Sequence, residues 1–383
     1  MKALMLASVA SMIDQFNGDN MDLLEEMGYE VHVACNFLQG NTSSKERLQA
    51  FQEELKHCKR EVYQLPIPRK ISAIGDIVKS YKQLKKLIKE EKYDLVHCHS
   101  PIGGVIARLA CRKYRKQGLR VIYTAHGFHF FKGASWKNWL IFYPIEKVLG
   151  RYTDVLITIC NEDYQFACRK KMAKKIVYSP GIGIHTTTIE NMPIDLEKRK
   201  ELGIGENSKL VFSIGELNKN KNHEVILKAI TKQKDVHYAI CGKGELETHL
   251  KQLAEELGIG EKVHLLGFRT DAKEWLKVAD IFAFPSCREG LPVSLMEAMA
   301  AGLPVVCSKI RGNTDLIDNE KGGYLCGADD IEKFAEAIGE LIENTEKRKE
   351  MGQYNQNKVK AFDALQVRIV MEQVYRWKED EKG

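Results

Sequence analysis

DIFAFPSCREGLPVSLMEAMAAGLPVVCSK, residues 280–309, reads as a strand, a loop, a helix and a second strand. The run DIFAF is apolar at successive positions, as a strand buried on both faces of a parallel sheet must be; a half-exposed strand would alternate. Pro292 suits the first turn of a helix, where its missing N–H has no intrahelical partner to lose. Gly302 can end that helix in a left-handed conformation, and Pro304 bars its continuation, so PVVCSK begins a new strand. Strand, crossover helix and strand make a β-α-β unit, and the right-handedness of such crossovers leads to a doubly wound parallel sheet.

The same alternation runs outward in both directions. KALMLAS, EVHVACN, DLVHCHS, RVIYTAH and DVLITIC in the first half, then KLVFSIG, VHYAICG, KVHLLG, DIFAFPS and PVVCSK in the second, are short β-branched or apolar runs. Helix-period segments such as IGDIVKSYKQLKKLIKEE, EVILKAI and ELETHLKQLAEELG separate them. A chain of 383 residues is too long for one ordinary core, so two Rossmann-like α/β domains are expected. They are placed at 1–185 and 207–364, with a polar, strand-free linker at 186–206 approached through the turn residues of SPGIGIH. The last stretch, 365–383, reads as a helix outside the second strand set, expected to pack back on the first domain. Open parallel sheets bind ligands at the carboxyl ends of their strands. Two such sheets facing each other would line one central cleft, and the chemistry belongs in loops that follow strands.

Composition narrows the class. The apolar fraction is 44% and the charged fraction 29%, as in globular proteins. Ten scattered cysteines without a C-x-x-C pair point to a reducing compartment, with neither disulfides nor a metal site. The opening MKALMLASVA is followed at once by Asp14 and Asp19, which makes it a first buried strand rather than a leader. No apolar run approaches the ~18 residues of a membrane span. The net charge of +6 conceals an asymmetry: residues 1–190 hold 29 Lys/Arg against 19 Asp/Glu, and residues 191–383 hold 29 against 33. The basic half lacks any nucleic-acid-binding signature, so no nucleic acid is expected; an anionic lipid surface or a phosphate-bearing acceptor fits it.

Candidate site residues stand where the strands end. Glu289 precedes the helix of the opening segment and Glu297 lies about one turn into it. The backbone of Gly290, Leu291, Pro292 and Val293 at the helix start, with the helix dipole, forms an anion site suited to a pyrophosphate. The acceptor-only carboxylates suit a sugar hydroxyl and a ribose diol. SIGELNKNKN, residues 213–222, follows another strand: Gly215 lets the backbone approach a ligand, and Lys219 and Lys221 supply cations. His126 and His129 follow the strand RVIYTA. His97 and His99, two apart on a strand and without a third ligand, are not a metal site. The pair Gly103 and Gly104 that follows can shape an acceptor side. Gly242 and Arg269 also follow strands, and no G-x-G-x-x-G accompanies Gly242, which disfavours a nicotinamide cofactor. Trp136, Trp139, Phe142 and Tyr143 lie beside Lys132, Lys137 and Lys147, a mixture that suits either a bilayer interface or a packed helix.

EGLPVSLMEAMAAGLP, residues 289–304, resembles the E-x7-E signature of the retaining glycosyltransferase family 4, whose members have the two-domain GT-B fold. The resemblance extends over essentially the whole chain. It implies that Glu289 lies by the transferred sugar, Glu297 by the nucleotide ribose and His126 near the reacting sugar carbon, with Gly242 and Arg269 lining the nucleobase pocket. Relatives usually read G-R-L after the strand, with a lysine five residues beyond the arginine, two cations that neutralise the diphosphate. Lys221 matches that lysine, whereas Glu216 stands in place of the arginine. The implied reaction moves a sugar from a nucleoside diphosphate sugar, UDP by the resemblance alone, to a hydroxyl acceptor. A lipid-linked glycan of exopolysaccharide or capsule synthesis is the expected acceptor, with no metal or other cofactor required. The implied place is the cytoplasm or, peripherally, the inner face of the membrane. Two rivals share the fold. A nucleotide-sugar 2-epimerase would need no acceptor, and a catalytically silent scaffold partner tends to lack one of the two carboxylates that this chain retains.

Overall fold

The computed structural model describes residues 1–205 and 207–377. The chain divides into two compact units, Met1–Ile182 with the chain from Leu365 on, and Gly183–Ala364. The first unit is a seven-stranded parallel sheet of β1 (Lys2–Val9), β2 (Glu30–Asn36), β3 (Glu61–Gln64), β4 (Leu95–His99), β5 (Arg120–Ala125), β6 (Val155–Thr158) and β7 (Lys175–Tyr178), in the order β3-β2-β1-β4-β5-β6-β7. The second holds six parallel strands, β8 (Lys209–Ile214), β9 (Val236–Cys241), β10 (Val263–Gly267), β11 (Ile281–Phe284), β12 (Val305–Ser308) and β13 (Gly323–Cys326), in the order β10-β9-β8-β11-β12-β13. Strand order reverses between β1 and β4 in one sheet and between β8 and β11 in the other. Loops leaving those neighbours turn to opposite faces and open a crevice at the strands' carboxyl ends.

Every strand expected from the sequence is present, and three more close the sheet edges: β3, β7 and β13. None of the residues of β3 and β7 is fully buried. Half-exposed edge strands carry mixed sequences such as EVYQ and KIVY, which lack the apolar run that marks a central strand. In β1 the alternation of side chains feeds two cores: Ala3, Met5 and Ala7 join one face, and Leu4 and Leu6 the other.

The C-terminal helix, Ala364–Arg376, completes the first of these cores with Val367, Met371, Val374 and Tyr375. Burying each large apolar side chain stabilises the unit by about 1.5–3 kcal/mol. Residues 378–383 of the expected helix lie outside the described residues. The helix Pro101–Cys111 rides so low on its sheet that a Cβ at Gly104 would sit 2.5 Å from the Tyr123 ring. Close helix–sheet packing is therefore what Gly104 serves.

The stretch 186–206 differs from the expected linker. It forms two short helices, Thr186–Glu190 and Glu197–Glu201, within the second unit. Thr186 donates from its N–H and its hydroxyl to Asp363 Oδ2, at 3.1 and 2.6 Å. Lys198, a buried lysine, is held by Asp271 at 2.7 Å and Glu274 at 2.9 Å. The polarity of the segment is that of anchored charges. Residue 206 lies outside the described residues.

Candidate active site

At the second unit's switch point, the loops after β8 and β11 are stitched together by asparagines. Asn218 Oδ1 accepts from the Lys221 N–H at 3.0 Å. Asn220 donates its side-chain amide to the Arg288 carbonyl at 3.1 Å, and its own carbonyl accepts from Cys287 N–H at 2.7 Å. Asn222 stands in the left-handed region at φ 53°, which asparagine tolerates, and donates to the carbonyls of Pro285 and Ala328 at 3.3 and 2.8 Å. Gly215 clears the path for the Lys221 stem, since a Cβ there would lie 3.1 Å from Lys221 Cδ.

The result is an ion pair at the crevice: Lys221 Nζ lies 2.7 Å from Glu289 Oε1, with the two side chains 19% and 16% exposed. Lys221 Nζ also sits 4.8 Å from the centre of the Phe284 ring, a cation–π contact at the end of β11. Glu289 is followed by the helix Val293–Ala300, whose N-cap Pro292 offers no side-chain cap. First-turn N–H groups of a helix have no intrahelical acceptor. Val293, Ser294 and Glu297 form the less buried face of this helix, while Leu295, Met296, Ala298 and Met299 are in the core.

The loop after β12 props the site from behind. Gly312, at φ +79°, is where a Cβ would come 2.0 Å from the Gly290 carbonyl, and Arg311 Nε donates to the Glu289 carbonyl at 3.2 Å. Glu297 lies 3.0 Å from Lys273 Nζ. Burial pushes the Glu297 carboxyl up from the usual range, and Lys273 partly offsets it.

Other expected residues have more structural roles. Gly242 approaches Gly215 so closely that a Cβ would fall 1.8 Å from the Gly215 carbonyl, and its N–H donates to Gly267 at 2.8 Å. Arg269 forks onto both oxygens of Asp271, at 2.6 and 2.7 Å, with its guanidinium 5.4 Å from the Trp275 ring. Arg269, followed by Lys198, holds the Asp271 carboxyl well below the carboxylate range. Lys219 and Glu216 are exposed, and Glu216 accepts from the Asn218 side chain at 2.8 Å within its own loop.

His126 belongs to the first unit, at the end of β5, in a chain of imidazoles. His126 Nε2 and His99 Nδ1 share a hydrogen bond of 3.0 Å, and the rings of His97 and His99 are 4.2 Å apart. His97 bonds the Tyr375 hydroxyl at 2.9 Å and the Thr124 hydroxyl at 2.8 Å. Burial lowers His97 from 6.5 to about 3 and His126 to about 4, and it takes His99 well below its ordinary value. All three are neutral at physiological pH, so His126 donates or accepts a hydrogen bond there and carries no charge. A small cavity of about 20 Å³ beside His99 and His126, lined also by Asn17, Asn20 and Ser179, has room for a single water molecule. His129 stacks on Phe142 at 4.5 Å.

The structure thus gathers Gly215, Lys221, Glu289, Gly290, Leu291, Pro292, Val293 and Glu297 in the second unit. It adds Arg311 and Lys273, which the sequence reading passed over. Arg311 was within reach of that reading, since it follows the strand PVVCSK as the other candidates follow theirs. Lys273 carries no local signal.

Two family models match the chain: Glycosyltransferase Family 4 over residues 21–181 and Glycosyl transferases group 1 over residues 195–358. A Bacillus subtilis protein named as the glycosyltransferase EpsD is 35% identical over 98% of this chain and 96% of its own length. The Escherichia coli UDP-Gal:alpha-D-GlcNAc-diphosphoundecaprenol alpha-1,3-galactosyltransferase is 34% identical over 70% of this chain and 71% of its own. Among solved structures, Anabaena Alr3699/HepE in complex with UDP gives a TM-score of 0.78 at 20% identity, covering 98% of this chain and 99% of that one.

Proposed function

Because the chain belongs to glycosyltransferase family 4 and has its GT-B fold, we propose that this glycosyltransferase moves a hexose from a UDP-sugar to a hydroxyl of a lipid-linked glycan, with retained anomeric configuration. The observation that carries this reading is the Lys221–Glu289 pair, 2.7 Å apart beside an uncapped helix start where two parallel strands end. The anomeric carbon–oxygen bond to the diphosphate breaks as the bond to the acceptor oxygen forms, and the acceptor's proton passes to the leaving diphosphate. Negative charge gathers on that leaving group. Lys221 and the first-turn N–H groups at Val293 and Ser294 are the donors that would meet it, already oriented before the charge develops. Glu289 then releases Lys221 to the diphosphate and faces the sugar hydroxyls, and Glu297 accepts from the ribose diol. In the first unit, neutral His126 offers a hydrogen bond to a hydroxyl group.

The lipid-linked acceptor is inferred from the undecaprenol-linked substrate named for the Escherichia coli relative, and such an acceptor supports a reaction at the inner face of the membrane. The test is to incubate purified protein with a panel of UDP-sugars and a polyprenyl diphosphate-linked sugar, following thermal shift and product. UDP should raise the melting temperature by mass action, and the product should keep the donor's anomeric configuration. An altered nucleotide sugar formed without acceptor would replace the proposal with epimerisation, and an inverted linkage would remove the retaining mechanism.

A further inference from the structure

Residues 95–153 hold a single acidic residue, Glu146, against ten Lys and Arg. Glu146 is spent internally: it is buried and accepts from both arms of Arg108, at 2.7 and 3.0 Å. The outer surface of this stretch is therefore cationic. Within it lies the helix Trp136–Leu149. One face, with Trp139, Phe142, Tyr143 and Leu149, is turned toward the first unit's interior. The other carries Trp136, Leu140, Ile141, Ile145 and Val148, at 69, 66, 48, 38 and 53% exposure.

At 3.6 residues per turn Trp136 and Leu140 stand along one edge, and Ile141, Ile145 and Val148 along the other, of one exposed half of the helix, which also carries Lys137, Pro144 and Lys147. The five apolar residues make a stripe along a 14-residue element, about 20 Å at 1.5 Å per residue. Single exposed apolar residues need no explanation, whereas a continuous stripe marks a contact surface. Where the helix ends, a notch of about 330 Å³ is lined by Lys147, Arg151, Lys171 and Lys174 and by no carboxylate. Lys147 Nζ donates to the Lys170 carbonyl, and Lys174 Nζ lies 3.3 Å from Asp154, which Arg115 also holds.

We propose that this stripe and notch dock the first unit on an anionic lipid bilayer, the apolar side chains entering the acyl boundary and the notch taking a headgroup phosphate. The helix is too short to span, and its opposite face is committed to the core, so it lies in the plane of the surface. Trp136 at the margin suits the headgroup level, where amphipathic rings collect. A second copy meeting this face would bring like charge against like charge, and a bilayer asks for no shape complementarity. The purpose of the contact rests on the lipid-linked acceptor proposed above; the contact itself does not.

The experiment is flotation of the full chain with phosphatidylcholine vesicles, with and without phosphatidylglycerol, in the absence of nucleotide and acceptor. The protein should float with the anionic vesicles, at least about tenfold more than with neutral ones, and be released by high salt. Leu140→Glu/Val148→Glu should abolish flotation. Arg151→Glu/Lys171→Glu should erase the preference for anionic lipid. Both variants should keep the UDP-induced thermal shift, which separates loss of docking from loss of fold or of the transferase site. In the unaltered protein, brominated phosphatidylglycerol should quench tryptophan emission, and less so after Trp136→Phe. Equal flotation on neutral and anionic vesicles, unquenched emission, or variants that float like the parent would overturn the proposal. So would a stripe variant that instead lowers the solution mass, which would mean a protein contact.

Discussion

At the carboxyl ends of its strands the second unit sets charges: Lys221 against Glu289, Lys273 against Glu297, and Arg269 against Asp271. The first unit sets three imidazoles that burial keeps neutral, with Tyr375 and Thr124 hydroxyls completing the chain. The same topology thus carries two kinds of surface. Paired charges can be unpaired by an incoming anion, and the pair supplies a cation without leaving it bare beforehand. Neutral donors and acceptors orient a sugar without attracting a phosphate. That difference suits the second unit to the leaving diphosphate of the proposed reaction and the first to hydroxyl groups.

The comparison breaks most readily at Lys221. Lys221→Ala should lower kcat by about 10²- to 10³-fold, the range for losing one preorganised donor to a developing anion, with little change in urea stability. A loss of less than about fivefold in steady-state transfer would mean that the cation lies elsewhere.

Glu297→Gln sharpens it next. Calorimetry with UDP alone should show affinity about tenfold to a hundredfold weaker, from a charge-assisted bond worth ~1.5–3 kcal/mol. Burial disfavours the ionised carboxyl, so the same change should leave the melting temperature unchanged or raised. Weakened binding with a lowered melting temperature would make Glu297 a structural residue.

The imidazole chain gives a smaller, pH-dependent effect. With His126 near 4 in place of 6.5, transfer should show no titration from this residue around neutrality, and His126→Gln should cost about tenfold. Between about pH 4 and 6.5 the unfolded imidazole binds a proton that the folded one does not, so stability falls as the pH drops through that window. Urea midpoints near pH 7 and pH 5 should therefore differ less for His126→Gln than for the parent. An acid limb near pH 6.5 in the transfer rate, absent from His126→Gln, would contradict a neutral chain.

The smallest effects belong to the outer loop. Glu216→Ala should be neutral within about twofold, since Glu216 is exposed and bonded to Asn218, and Lys219→Ala should cost less than Lys221→Ala. A double-mutant cycle of Lys219 and Lys221 reads any sharing of the diphosphate between them. Loss of transfer in Glu216→Ala would give that carboxylate a direct role.

Much of this was legible before the structure. The central strands announced themselves as apolar runs, and the helix Val293–Ala300 by Pro292 before it and Gly302 after it, because burial and backbone chemistry are local. Lys221 and Glu289, separated by 68 positions, were both singled out, each by the strand before it. Their pairing came from sheet order, which no local pattern states. Lys273 beside Glu297 was missed because that pairing is also tertiary; Asp271, two residues beyond Arg269, was within local reach and was passed over. In N-K-N-K-N the lysines drew the attention; it is the asparagines that fasten two crossovers together. Gly242 attracted notice as a ligand-facing glycine, and its demand is the carbonyl of Gly215.

The chain enters the second unit at Gly183 and leaves it at Ala364, and the helix that seals the first core is made after that unit. During synthesis, therefore, order of emergence and order of completion are reversed. The strands of the first sheet emerge before the second unit, and the places of Met371, Val374 and Tyr375 stay unfilled until the chain beyond Ala364 follows. Ribosomes stalled before residue 364 would hold a half-finished first unit, the kind of species that exposes apolar surface to chaperones and neighbours. His97 has to wait for its hydroxyl partner Tyr375, which follows it by 278 residues.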